Sequence, residues 1–217
     1  MAKKIYLSPS SQHENPYAYG GTNEAAQCMK IAHACEAALN RCGFEAVVGG
    51  GTMYQRVPES NRWGADLHVA IHTNAANGKT TGTRCYAWKT GGDGFRAAQA
   101  IFNVLAPITP GVSEGVFEQR GWYEIKNTKA PCVYVECEFH DVPETAKWII
   151  EHTTEIGEAI AQGICNFYGV AYVSETPPEP ETPEQLYRVQ CGAFSKKENA
   201  EALVAKLKAA GFDAIIK

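Results

Sequence analysis

The pattern of elements in this chain predicts an α/β fold: a mostly parallel twisted sheet flanked by helices on both faces, with a small C-terminal β-α-β unit behind it. Three observations carry that expectation. Between Ile5 and about Val173, short apolar runs of strand length alternate with longer stretches of helical period. Residues 174–184 read SETPPEPETPE, four prolines and four glutamates in eleven residues, a semi-rigid linker of polyproline character. Beyond it, residues 185–217 open a fresh strand, helix and strand pattern. The domains are therefore drawn as 1–173, 174–184 and 185–217.

Strands are expected at 5–7, 46–48, 67–71, 83–88 and 133–137, and helices over 25–42, 57–63, 94–105 and 145–168. The first helix is the clearest. With Thr22 as N-cap, Cys28, Ile31, Cys35 and Leu39 follow Glu24 at offsets of 4, 7, 11 and 15, one face of an α-helix. Glu24 lies on that apolar stripe, and an unpaired buried carboxylate is costly. It should be neutralised, paired with a cation or bound to a metal. In the C-terminal unit Tyr187, Val189 and Cys191 alternate with Arg188 and Gln190 as in a strand. Ser195, with Glu198 three residues on, caps a helix whose face carries Ala200, Leu203, Leu207 and Ala210. Gly211 ends that helix, and 212–216 read as a second strand. A unit of about thirty residues is below the size that stands alone, so it should dock on something or pair with a copy of itself.

Composition bounds the function. With 217 residues, 45% of them hydrophobic and 20% charged, the chain can bury one full core and a smaller element. A net charge of −4 argues against a nucleic-acid partner. No apolar stretch is long enough for a membrane span, and Lys3 and Lys4 are not followed by the apolar core of a signal peptide. The expectation is a protein made in the cytoplasm that reaches any external target after release by lysis or through a separate pore. The eight cysteines are scattered. Cys28, Cys35 and Cys42 recur every seven residues, about 10.5 Å apart along a helix, too far to share a metal, and small buried thiols are expected.

Three segments carry candidate chemistry. In 65–75, Leu67, Val69 and Ile71 share one strand face and His68 and His72 the other. The two histidines are about 13 Å apart and cannot hold one metal together. His72 sits at the carboxyl end, where open α/β sheets place their ligands, and His68 reads as a satisfied core histidine. In 131–141, Glu136 and Glu138 share a face, and either could serve as a catalytic base. His13 lies in the loop after the first strand. With Glu24 and His72 it would supply two imidazoles and a carboxylate, a set that suits a zinc ion with a fourth position open to water.

These residues resemble the zinc-dependent N-acetylmuramoyl-L-alanine amidases of the amidase-3 type, which include bacterial wall hydrolases and phage endolysins. Ile71-His72-Thr73-Asn74-Ala75 is similar to that family's S-I-H-x-N-A element, and Ala130 to Glu136 to its A-P-x-x-L-x-E strand. Thr22-Asn23-Glu24 followed by Ile31-Ala32 matches the helix that carries its glutamate ligand. The resemblance covers residues 3 to about 170. It implies that His13, Glu24 and His72 bind zinc and that Glu136 is the general acid and base. Two departures stand out. Ser8-Pro9-Ser10-Ser11-Gln12 replaces the family's D-P-G-H-G-G, displacing His13 by a couple of positions, and Glu138 occupies a site that is often glycine.

Residues 187–195, 199–200 and 207–212 resemble the first half of a SPOR domain, a family that binds glycan strands stripped of stem peptides. The implied partner is peptidoglycan, both glycan strand and stem peptide, with a homodimer through the C-terminal unit as one way to complete its sheet. The implied reaction is hydrolysis of the amide between N-acetylmuramic acid and L-alanine by zinc-activated water, in phage lysis or wall remodelling. Two other classes stay open from the residues alone: a peptidoglycan-binding protein with a degenerate metal site, and a zinc peptidase of the stem peptide. Trp88, Arg120, Trp122 and Tyr123 are candidates for the cleft wall.

Overall fold

A computed structural model describes residues 2–175 and 189–216. The chain divides into two compact units, residues 1–175 and 176–217. The first contains β1 (Lys4–Pro9), α1 (Glu24–Arg41), β2 (Glu45–Val48), α2 (Met53–Trp63), β3 (Leu67–Asn74), β4 (Arg84–Ala87), α3 (Asp93–Leu105), β5 (Gly115–Glu118), α4 (Tyr123–Asn127), β6 (Cys132–Phe139), α5 (Pro143–Glu151) and α6 (Thr153–Tyr168). The second contains α7 (Lys197–Ala209).

The six strands form one sheet in the order β2-β1-β3-β6-β4-β5. All neighbours run parallel except β4 and β6, which are antiparallel, so the expected mostly parallel sheet is present. Its two faces are covered unequally. Ile5, Leu7, Val69, Ile71, Val133, Val135, Cys85 and Ala87 form one core with apolar residues of α1, α3 and α6. Burying each aliphatic chain of that kind contributes about 1.5–3 kcal/mol, which makes this the stabilising face. Close approach of the helices depends on two glycines of α6: a Cβ on Gly163 would lie 2.4 Å from the Ile101 Cα of α3, and one on Gly157 2.6 Å from the Ile31 carbonyl of α1. The opposite face carries Tyr6, Ser8, His68, His72, Tyr134, Glu136, Arg84 and Tyr86, and it is covered by α2 and the five-residue α4.

The first helix begins at Glu24, within one residue of the expected start, but its N-cap is one residue later than expected. Asn23, not Thr22, is the N-cap, its side chain accepting from the Ala26 N–H at 2.9 Å, while the Thr22 hydroxyl accepts from Gln27 at 2.8 Å. Glu24 therefore opens the helix, and Cys28, Ile31, Cys35 and Leu39 are all buried as their spacing requires. The helix expected over 145–168 is two helices broken at His152, whose ring nitrogen donates to the Trp148 carbonyl at 2.7 Å and whose backbone leaves the helical region. Apolar residues face the core on both sides of the break, so the helical period runs through it. β5 and α4 were outside the expected set, being four and five residues long and without a full period. All eight cysteines are free thiols, six of them buried.

The linker expected at 174–184, apart from its first two residues, lies outside the described residues, as do Tyr187 and Arg188. The C-terminal unit differs from its expected β-α-β form: among the described residues it holds α7 and no strand. Its helix has Ala200, Leu203 and Leu207 half-covered as the spacing predicts, but no residue of it is buried. Val189 and Ile215, in the two segments expected as strands, are 84% and 72% exposed. A strand needs a neighbour to satisfy its backbone, and one short helix does not supply one.

Candidate active site

The carboxyl end of β3 and the start of α1 bring two of the expected ligands together. His72 Nδ1 donates to Glu24 Oε1 at 2.8 Å, and both side chains are buried. Glu24 Oε2 accepts from Asn15 at 2.8 Å, and Gln12 Nε2 lies 3.5 Å from His72 Nδ1. Gln12 and Asn15 are themselves joined at 2.9 Å. The loop after β1 is therefore tied to the Glu24–His72 pair through these two amides.

His13 does not join them. It is exposed at the turn of that loop, where its backbone N–H bonds Ser11 O, while Gln12 and Asn15 point to the pair. Among the described residues no three His, Cys, Asp or Glu side chains are grouped as metal ligands. Of the expected set His13, Glu24 and His72, the structure brings the last two together and leaves His13 apart. The reason is local: the loop turns at His13, which sends adjacent side chains in different directions.

Glu136 is the register partner of His72 on β6, and of Arg84 on β4. Its Oε2 is buried and has no hydrogen-bond partner. Burial pushes the Glu136 carboxyl up to about 8, with Glu24 adding to the rise and His72 and Arg84 opposing it. Burial lowers His72, but the carboxylates of Glu124, Glu24 and Glu136 outweigh that and raise it to about 9. Glu24 is held below the ordinary range, since bonds and charge from His72 and a bond from Asn15 overcome its burial. Several buried carboxylates around one imidazole, one of them with an orphaned oxygen, are a donor set suited to a divalent cation held by Glu24 and His72.

Glu138, the alternative base, is fully buried; its Oε2, like that of Glu136, has no partner, but its other oxygen is committed elsewhere. Its Oε1 accepts from the Gly82 N–H at 2.5 Å and from the Phe139 N–H at 2.8 Å. Gly82 adopts a φ of 102°, a conformation open to glycine, so this carboxylate pins a tight loop before β4.

Two residues with functional positions were not singled out from sequence. Glu124, on α4, reaches across the covered face: Oε1 accepts from Ser8 at 2.5 Å and from His68 Nε2 at 3.2 Å, and Oε2 lies 3.9 Å from His72 Nε2. His68 also contacts Ser60 at 3.0 Å and stacks on Tyr6, so it is the satisfied core histidine expected. Nothing in a five-residue helix marks Glu124 in advance. Tyr134 stacks on His72 at 4.3 Å between ring centroids, and its alternation with Glu136 was the available signal. Of the cleft candidates, Trp122 packs on Tyr134 at 4.5 Å, whereas Tyr123 packs on Tyr54 and Trp88 lies under Arg120. Trp88 lines a separate cavity of about 540 Å³ beside Pro131, which none of the site residues touch.

Residues 5–166 match the Amidase_3 family, described as N-acetylmuramoyl-L-alanine amidase, and residues 183–217 match the SPOR domain. A sporulation-specific N-acetylmuramoyl-L-alanine amidase of Bacillus subtilis (strain 168) is 25% identical over 221 residues, covering 98% of this chain and 84% of that protein. The N-acetylmuramoyl-L-alanine amidase CwlM of Bacillus licheniformis is 28% identical over 172 residues, covering 76% and 62%. The solved structure of the N-acetylmuramoyl-L-alanine amidase AmiC2 of Nostoc punctiforme superimposes with a TM-score of 0.70 at 22% identity, over 77% of this chain and 97% of that one. The chain belongs to the Amidase_3 family of N-acetylmuramoyl-L-alanine amidases, and is a peptidoglycan amidase.

Proposed function

We propose that this amidase cleaves the bond between the lactyl group of N-acetylmuramic acid and L-alanine with Glu136 as general acid and base, and with Glu24 and His72 as protein ligands to zinc. The observation that carries the reading is the buried, unpartnered Oε2 of Glu136 beside the Glu24–His72 pair. Zinc bound there would supply Lewis acidity and lower the pKa of water toward neutrality. Glu136 accepts the proton of the attacking water and returns it to the departing alanine amine, a task that suits a carboxyl lifted into the neutral range. Glu124, which approaches the Nε2 ring nitrogen of His72, restrains the imidazole plane while Nδ1 faces Glu24.

The site of action is the cell wall, reached once the protein is outside the cytoplasm. The SPOR match over 183–217 supports a wall-binding role for the C-terminal unit. Its exposed Val189, Phe212 and Ile215 support completion of that unit by strands of a second copy.

The test is digestion of purified peptidoglycan by the full chain, with mass analysis of products. Free L-alanine amino termini and intact muramic acid are expected, and cleavage inside the stem peptide would reject the reading. A second reading, a wall-binding protein without metal, is favoured by one observation: His13 stands outside the site. Stoichiometric zinc in the purified protein would reject it.

A further inference from the structure

The sheet face that carries Glu136 continues past it onto β4 and β5, where no helix covers it. Tyr134 pairs in register with Tyr86, and Tyr86 with Phe117. Tyr86 and Phe117 form an aromatic shelf, their centroids 5.7 Å apart and their planes inclined at 37°. Trp122 bridges the shelf to Tyr134, its centroid 4.7 Å from Tyr86 and 4.5 Å from Tyr134 and its plane inclined at 54° and 56° to them. From His72, stacked on Tyr134, the run of rings passes through Trp122 and Tyr86 and ends at Phe117, which is 39% exposed on the edge strand.

Beside the shelf, Arg84 carries a buried Nε with no partner, and its register partner Glu136 carries the unpartnered Oε2. The far end of the guanidinium is held by Glu114. A buried donor and a buried acceptor, both unsatisfied on neighbouring strands, call for a molecule that supplies the complementary pair.

We propose that Arg84, Tyr86, Phe117 and Trp122 form a subsite for an N-acetylhexosamine ring of the glycan strand, contiguous with Glu136. A pyranose has one face of C–H groups, which fits the exposed ring of Phe117 beside Tyr86 and Trp122, and a rim of hydroxyl and acyl groups, which fits an unpartnered N–H donor such as Arg84 Nε. A flexible peptide presents no such flat apolar face. The subsite rests on the reading that places the scissile amide at Glu136, since the sugar bearing that amide must lie within one ring of it.

The test is titration of the full chain with β-1,4-linked N-acetylglucosamine oligomers, followed by tryptophan fluorescence and calorimetry. Saturable binding is expected, weakened about tenfold by Tyr86→Ala, Phe117→Ala or Arg84→Gln and retained in Phe117→Tyr. Phe117 is exposed at an edge, so its variants test the shelf without emptying the core. Unchanged affinity across these variants would overturn the subsite, because the sugar would then be held by the C-terminal unit. So would failure to bind, or variants that lose only a sugar-free stem peptide. Amide hydrolysis of N-acetylmuramoyl-L-alanyl-D-isoglutamine by the native chain is assayed in parallel. Hydrolysis with shelf-insensitive sugar binding rejects the subsite alone, and shelf-dependent binding without hydrolysis rejects the placement of the amide alone.

Discussion

Glu24 and His72, 48 positions apart in the chain, meet at 2.8 Å because α1, which shares a core with β3, begins where β3 ends. Each satisfies the other in a place neither could occupy alone. With zinc held there, Glu24→Gln and His72→Ala should each weaken the metal by on the order of 100-fold or more. Competition with a chromogenic chelator measures it, and native affinity in both variants would remove the pair from the metal site.

The loop residues that reach this pair are Asn15, at Glu24, and Gln12, at His72. Gln12→Ala should weaken zinc by about tenfold, as loss of a supporting partner does, whereas His13→Ala should change it by less than about threefold. The same chelator assay reads both. The opposite order would restore His13 to the site.

Glu136 and Glu138 share a strand face but should separate cleanly when substituted. Glu136→Gln is expected to lower kcat by about 10²–10⁴-fold while zinc stays bound. Glu138→Gln leaves the Gly82 and Phe139 N–H groups with a poorer acceptor, and should cost about 1–3 kcal/mol in denaturant unfolding. A kcat loss larger for Glu138→Gln than for Glu136→Gln would reverse their roles.

Glu124 gives the metal-free protein an acid-sensitive tie. Burial raises its carboxyl, but bonds from His68, His72 and Ser8 hold it well below its ordinary value of 4.5. A depressed folded pKa stabilises the fold above the unfolded value and loses that contribution as pH falls. Glu124→Gln should therefore be less stable at pH 7 by on the order of 3 kcal/mol, with the gap narrowing below 4.5. Guanidinium unfolding across that range tests it, and a pH-independent gap would mean that the ion pairs contribute nothing.

Much of this was legible in the chain. The stripe from Cys28 to Leu39 placed Glu24 inward and demanded a partner for it, and strand alternation put His72 with His68 and Glu136 with Glu138. Those are local periodicities of 3.6 and 2, set by backbone geometry and readable one segment at a time. The break at His152 was not legible, because core-facing residues continue on both sides of it.

The sequence by itself determined the elements, the inward face of each, and the residue types that could do chemistry at the ends of β3 and β6. Only the tertiary structure decided which of them meet. It left His13 in solvent and brought Gln12 to His72; it tied one oxygen of Glu138 to a loop and set Glu136 opposite His72; and it laid Arg84 and Tyr86 beside the site through the one antiparallel pairing in the sheet. The physical reason is that strand order, strand direction and loop path depend on burial summed over the whole core, and no local window contains that sum.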